Sequence, residues 1–401
     1  MSKIVIISAV FPPEPVVSAQ LSYDMATSLS ASNDVVVLCP EPTRPLGFRF
    51  EEATNDSKRP FEVVRLKSYT CPKSSVLGRF RESYSFGRAC VEYIKKNRAI
   101  DCLYMNTWPL IAPYLTIRIA NKYKISCVVH VQDIYPESLI NKLQIGKTLA
   151  YHLLLPIDRY VLQKSTCVIA ISENMAQLLS KTRNIPLDKI QIVRNWQNEE
   201  AFLSYQKTKP VKNDACKVFT FMYLGNIGPV AGVDLLIRSF AKANLPDARL
   251  VIAGAGSALN ACIQLAESLD ASNIEFLSVA QGDVPKIQDE ADILLLPVKK
   301  NGAMSSIPSK LPAYMFSAKP IVGSLDQDSD TAGAILDAEA GLVVMPDSED
   351  QLAEAMCRVS KWDKQKLEML GMNGYHYAIR NFSKKANLDR LIAIIEFYIK
   401  K

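Results

Sequence analysis

The stretch ADILLLPVKKNGAMSSIPSKLPAYMFSAKPIVGS, Ala291 to Ser324, reads as a buried strand, a polar loop, a helix opening at Pro308-Ser309-Lys310 and a second strand starting at Lys319-Pro320. Strand, helix and strand in that order are the unit of a parallel sheet. A helix start presents unpaired backbone N–H groups and the positive end of a dipole, so a phosphate docked there meets donors and a favourable field. Pro308 suits a first helical turn because its missing N–H would have been orphaned anyway, and Ser309 is of the capping type. Lys310 adds a full positive charge, which makes Ser306, Pro308, Ser309 and Lys310 candidates for binding an anion. An ordinary strand-helix-strand unit with a solvated lysine has the same local pattern, and this stretch alone leaves both readings open.

The same alternation extends in both directions. Before it run KIVIISAVF, DVVVLCP, FEVVRLK, CLYMN, SCVVHVQ, TCVIAIS and KIQIVRN, and around it VFTFMYLGN, RLVIAG, IEFLS, DILLLPV, PIVGS and GLVVM, each followed by a helix-compatible stretch. β-Branched runs alternating with amphipathic helices predict parallel α/β sheets. At 401 residues the chain exceeds what one core usually serves. The polar, lysine-rich LSYQKTKPVKNDACK (203–217) has no regular period and reads as a linker. We therefore expect one Rossmann-like domain over 1–204, a second over 205–383, and a terminal helix over 384–401 with Leu388, Leu391, Ile392, Ile394, Ile395 and Tyr398 on its apolar side; periodicity alone does not decide whether it packs back on the first domain. Two doubly wound sheets are expected to bind ligands in a cleft at the carboxyl ends of their strands.

Composition narrows the class. Hydrophobic residues at 48% and charged residues at 22% describe a globular chain. No apolar run reaches the roughly 18 residues of a spanning helix, and Met1-Ser2-Lys3 leads straight into a strand instead of a signal peptide, so a cytoplasmic protein is expected. The nine cysteines are scattered singly, with no CxxC pair and no histidine at ligand spacing. They read as reduced core residues, without disulfides or zinc. The net charge of +6 is concentrated in the first half, which points to an anionic partner. No nucleic-acid motif accompanies it, which favours an anionic membrane surface over nucleic acid, with plain solubility as the alternative.

With these residues in view, the chain resembles the GT-B glycosyltransferases of family 4, in the subgroup that builds bacterial capsule, O-antigen and colanic acid and includes L-fucosamine transferases. The segments that carry the resemblance are FPPEP (Phe11–Pro15), VQDIYPES (Val131–Ser138), IAISENM (Ile169–Met175), IVRNW (Ile192–Trp196), YLGNIG (Tyr223–Gly228) and IPSKLPAYMFSAKPIV (Ile307–Val322), in order along nearly the whole chain. The resemblance implies transfer of a deoxy- or N-acetylamino sugar from a nucleotide diphosphate, UDP favoured over GDP, to a polyprenyl-diphosphate-linked saccharide, with no metal ion required. It implies donor contacts at Gly225, Asn226 and Gly228, where glycine lets the backbone approach the pyrophosphate, and base contacts at Val279 and Ala280. Relatives place an arginine and a lysine after this strand; here stands Asn226, so Lys310 would supply the charge. Relatives also carry two glutamates eight positions apart, and this chain has Ser305 and Ala313 there, which leaves the ribose partner unnamed.

On the acceptor side the resemblance points to Pro13, Glu14 and Ser18, in a loop that has lost the two glycines of relatives and should be stiffer. His130, Asp133 and Glu137 flank the end of strand SCVVHVQ. Asp133 is the first candidate for taking the acceptor proton; Glu137 could equally cap the following helix, and His130 could be a core histidine. If configuration is retained, the departing diphosphate oxygen can itself take the proton. The basic, partly amphipathic stretches SSVLGRFRESYSFGRACVEYIKKNR and KLQIGKTLAYHLLLPIDRYVLQK could rest on anionic lipid or be ordinary core-facing helices. A sugar-nucleotide 2-epimerase of the same fold and a non-catalytic sugar-nucleotide-binding subunit are the competing readings.

Overall fold

The computed structural model describes residues 1–14, 16–42, 56–71, 76–106, 110–137, 146–209, 218–229, 231–280, 282–300 and 307–399. The chain forms two compact units, Met1–Asn195 with Asn387–Lys401, and Trp196–Ala386. Each is built on one parallel sheet.

In the first unit the strands are β1 (Lys3–Ile7), β2 (Asp34–Pro40), β3 (Glu62–Leu66), β4 (Cys102–Asn106), β5 (Ser126–Val131), β6 (Cys167–Ala170) and β7 (Ile190–Ile192). Their order across the sheet is β3-β2-β1-β4-β5-β6-β7. Helices cover both faces, so β1, β2 and β4 to β6 are buried along most of their length, as their continuous Val, Ile and Leu runs require. The helix Lys384–Ile399 closes this unit: Leu388, Leu391 and Ile395 are buried, the Asn387 side chain accepts a hydrogen bond from the Arg194 backbone at 3.0 Å, and the Arg390 guanidinium reaches the Ile192 carbonyl at 3.5 Å. Burying each such aliphatic side chain stabilises by about 1.5–3 kcal/mol.

The second unit holds β8 (Phe219–Leu224), β9 (Ala248–Ala253), β10 (Ile274–Leu277), β11 (Ile293–Pro297), β12 (Ile321–Ser324) and β13 (Gly341–Val344), ordered β10-β9-β8-β11-β12-β13. The chain thus has the two Rossmann-like α/β domains of a GT-B fold. All thirteen strand runs read from the sequence are strands.

The unit boundaries differ from the sequence reading of 204/205 and 383/384, falling at Asn195/Trp196 and Ala386/Asn387. The passage read as irregular linker begins inside a helix, Glu200–Thr208. Its polar surface hides the reason: Phe202 is buried against Phe316 with ring centroids 5.9 Å apart, and one turn on Gln206 donates to the Ser317 carbonyl. The rest of that passage, 210–217, lies outside the described residues. Cys39, Cys71, Cys90, Cys102, Cys127, Cys167 and Cys262 are buried free thiols, and Cys357 is half-buried. Among the described residues no helix is long and apolar enough to cross a membrane, and no group of three or more His, Cys, Asp or Glu is placed to hold a metal ion.

Candidate functional site

In the second unit the strand order reverses between β8 and β11, which opens a crevice at their carboxyl ends. The loop Gly225-Asn226-Ile227-Gly228 leaves β8 there, and the chain leaving β11 returns as the helix Lys310–Phe316. That helix is locked to the end of β8 by Tyr314, whose fully buried hydroxyl accepts from the Leu224 N–H at 2.9 Å and donates to the Leu224 carbonyl at 3.1 Å. Lys310 is thereby laid across Gly225: a Cβ on that glycine would stand 2.2 Å from the Lys310 Cε. The ammonium sits 5.3 Å from the centre of the Tyr223 ring, within the range of a cation–π contact. The Tyr223 hydroxyl in turn donates to the Asn226 carbonyl at 2.7 Å.

No carboxylate is bonded to Lys310 among the described residues, and burial lowers its pKa from the ordinary lysine value. A half-buried cation without a counter-charge is costly.

The loop itself is held by its neighbour. The N–H groups of Gly225 and Ile227 donate to the Ala253 and Ala255 carbonyls, both at 2.9 Å, and Ala258 donates back to the Ile227 carbonyl at 3.0 Å. This requires two glycines that the sequence reading did not select, Gly254 and Gly256. A Cβ on Gly254 would meet the Gly225 carbonyl oxygen at 2.0 Å, and one on Gly256 the Ile227 carbonyl oxygen at 2.2 Å. Their signal was present as AGAGS directly after strand RLVIAG. The structure also changes why Gly225 is glycine. Its N–H is already spent on Ala253, so its bare Cα houses the lysine. Asn226 is exposed and presents its amide over Gly228.

Ser309 precedes the helix in helical conformation and its side chain makes no capping bond, so the expected cap is not formed; Leu311 instead donates to the Pro308 carbonyl. Ser305, Ser306 and Gln281 lie outside the described residues, and Ala313 is half-buried against the core. Val279 is likewise packed on that core, while Ala280 is exposed and its carbonyl accepts from the Asp283 N–H.

In the first unit the order reverses between β1 and β4. After β1, Pro13 is exposed, but Glu14 is buried and its Oε2 accepts from the Phe11 N–H at 3.0 Å. Its carboxylate therefore shapes the loop instead of facing a ligand. Ser18 lies in the first turn of the helix Val17–Leu29, where its carbonyl accepts from the Ser22 hydroxyl, and Pro15 is outside the described residues.

The three candidates around β5 separate clearly. His130 is 1% exposed, its Nδ1 shares a 2.6 Å hydrogen bond with the Tyr104 hydroxyl, and burial pulls its pKa down to about 4 against the opposing Val193 backbone. It is a neutral core histidine. Glu137 is not poised for chemistry either: its two oxygens accept from Arg183 Nη1 and Nη2 at 2.7 and 2.6 Å. Arg183 is fully buried, and its Nε donates to Asp158 at 2.8 Å while Nη2 also reaches the Tyr135 carbonyl. Burial pushes the Asp158 carboxyl up to about 6, with Arg183 pulling the other way. This buried fork braces the turn that follows β5. Asp133 is the exposed carboxylate on that turn.

Comparison with known proteins agrees with this layout. The family model described as "Glycosyl transferase 4-like domain" matches residues 19–196, and the one described as "Glycosyl transferases group 1" matches residues 218–361. No curated protein sequence matches the chain. Among solved structures it is similar to a glycosyltransferase from Rickettsia africae ESF-5, with 14% identity, 100% of this chain and 99% of that chain covered, and a TM-score of 0.71. It is similar to sucrose-phosphate synthase from Thermosynechococcus elongatus, at 14% identity, full coverage of both chains and a TM-score of 0.72. It is also similar to HepE from Anabaena, solved in complex with UDP, at 13% identity, 99% and 100% coverage and a TM-score of 0.69.

The two glycines at the loop contact should respond differently to one methyl group. Gly254→Ala meets a backbone carbonyl, at a φ of +139° that disfavours a side chain, and should lose about 3 kcal/mol or more of stability. Gly225→Ala meets only the flexible end of Lys310 and should lose less than Gly254→Ala. Urea unfolding midpoints check both; equal losses would remove the loop packing described above.

Proposed function

The chain belongs to the glycosyltransferases, of the GT-B, family 4 type, and from this premise we propose that it moves a sugar from a UDP-linked donor to a lipid-linked saccharide in the synthesis of a bacterial surface polysaccharide. The observation that carries the donor half is Lys310, half-buried with no carboxylate bonded to it among the described residues and seated on Gly225 at the switch point of the second sheet. The donor's diphosphate lies against Lys310 and the Asn226 amide, with Pro308, Ser309 and Gly228 beside it and the base near Val279 and Ala280. UDP is favoured over GDP because the structurally similar HepE is solved with UDP.

As the glycosidic bond to the diphosphate breaks, negative charge grows on the leaving oxygen. A fixed ammonium beside that oxygen stabilises the transition state more than the ground state. With the charge met by Lys310, we take the transfer to need no metal ion. On the acceptor half, Asp133 is exposed on a turn whose base is clamped by Arg183, Glu137 and Asp158. We assign it the proton of the attacking hydroxyl, with Pro13 among the acceptor contacts.

A lipid-linked acceptor sits at a membrane surface. The helix Lys147–Lys164 exposes Leu149 and Leu153, 67% and 64% accessible, on one stripe with His152 and Pro156. Leu77, on the helix Val76–Lys96, is 83% exposed. Apolar side chains flanked by Lys147 and Arg159 suit the headgroup region of anionic lipid, which supports a reading in which the protein works on the inner face of the cell membrane.

Release of UDP from a panel of UDP-sugars, measured with and without a prenyl-diphosphate-linked saccharide, tests the reaction. Acceptor-dependent release is expected, falling on the order of 10²- to 10³-fold in Lys310→Ala and on the order of 10²-fold or more in Asp133→Asn; release that ignores the acceptor, or a Lys310→Ala rate within about threefold of the parent, would refute it. Flotation with phosphatidylglycerol vesicles should carry the parent and lose the Leu149→Asp/Leu153→Asp variant; a parent that stays at the bottom of the gradient would rule out the membrane contact.

A further inference from the structure

The first unit contains a second cluster of cations, away from Lys310 in the sequence. Beside the turn after β1 lies a cavity of about 400 Å³ lined by Pro12, Gln20, Tyr23, Lys58, Arg59 and Pro60. That volume falls within the range of small-molecule sites. Among the described residues its lining holds two cations and no carboxylate.

Arg59 is held in place from two sides. Its guanidinium stands 5.0 Å from the Phe11 ring centre and 5.4 Å from that of Tyr23, and Nη2 pairs with Asp56 at 3.2 Å. Asp56 is already shared, since its other oxygen accepts from Arg65 Nε at 3.1 Å. One carboxylate thus serves two guanidinium groups. Arg59 Nη1 is buried and has no hydrogen-bond partner, although a buried charged donor left unpaired is expensive. Lys58 next to it is exposed and has no ion-pair partner among the described residues. The far wall is fixed as well: Arg65 Nη2 donates to the Pro12 carbonyl at 2.7 Å.

We infer that this cavity binds the phosphate of the acceptor. A multidentate oxyanion satisfies the orphaned Arg59 donor and Lys58 together, while Pro12, Pro60 and the Tyr23 ring offer the flat apolar walls that an attached sugar needs. The inference rests on the transferase reading for its biological ligand. The cavity's preference for phosphate oxyanions does not depend on it. Two sources carry that group, a prenyl-diphosphate-linked saccharide and a free sugar phosphate.

The test is calorimetric titration of inorganic pyrophosphate into the full-length Lys310→Ala protein, which disables the proposed donor site. One binding event is expected, weakened at least tenfold when Lys58→Ala is added. Lys58 is exposed, so its removal should leave the thermal midpoint unchanged; Arg59→Lys, which keeps the charge but loses the fork, should weaken binding as well. Farnesyl diphosphate binding tighter than pyrophosphate would identify the lipid-linked source, and equal affinity the free one. No pyrophosphate binding, or binding indifferent to both Lys58→Ala and Arg59→Lys, would overturn the site. UDP titrated into the parent reports separately: its failure to bind would refute the donor reading and leave the cavity to be judged by pyrophosphate alone.

Discussion

The seat of Lys310 on Gly225 organises the second unit. Lys310 lies across that Cα so closely that a Cβ there would stand 2.2 Å from its Cε and push the lysine aside. Because the loop beginning at Gly225 pairs backbone to backbone with the turn after β9, Gly254 and Gly256 are glycines too. Tyr314 fixes the helix that presents the lysine, and Tyr223 lies under its ammonium while its hydroxyl ties down Asn226.

A comparison of buried cations sharpens the assignment. Arg183 is completely buried and compensated by Glu137, Asp158 and a backbone carbonyl. Its charge is consumed in holding the turn after β5, and removing one partner would strand another in the interior. Lys310 carries a desolvation cost with no carboxylate bonded to it among the described residues, and its pKa is lowered accordingly. Proteins keep such groups where a ligand supplies the missing charge. The two cations thus differ in their compensation: Arg183 is fully paired, and Lys310 has no carboxylate bonded to it among the described residues.

Much of this was legible in the sequence, for identifiable reasons. The strands of both sheets are short β-branched runs whose period is local, so ILLLPV and KIVII could be read in isolation. Lys310 was legible because a helix start after a buried strand is a local pattern as well. What could not be read were contacts made at a distance. Glu137 and Asp158 meet Arg183 across 46 and 25 residues, so the sequence offered Glu137 as a second carboxylate candidate or a helix cap and not as a partner of Arg183. His130 gave no hint of its bond to Tyr104 on the adjacent strand. The helix Glu200–Thr208 was hidden because only Phe202 of its residues is buried, which leaves too little hydrophobic period to detect. Ser309 shows the opposite failure: a correct helix start with a residue of the capping type that does not cap.

Lys310 is the claim on which the account turns, and UDP affinity measured by calorimetry from pH 7 to pH 10 examines it most directly. Burial lowers the lysine pKa, so the protonated form that binds diphosphate is lost as pH rises through a value below the ordinary 10.5. The parent should therefore bind UDP more weakly toward the alkaline end of the range, while Lys310→Ala should bind at least tenfold more weakly at pH 7 and lose that pH dependence. Equal affinity of the two proteins at pH 7, with parallel pH profiles, would contradict the account.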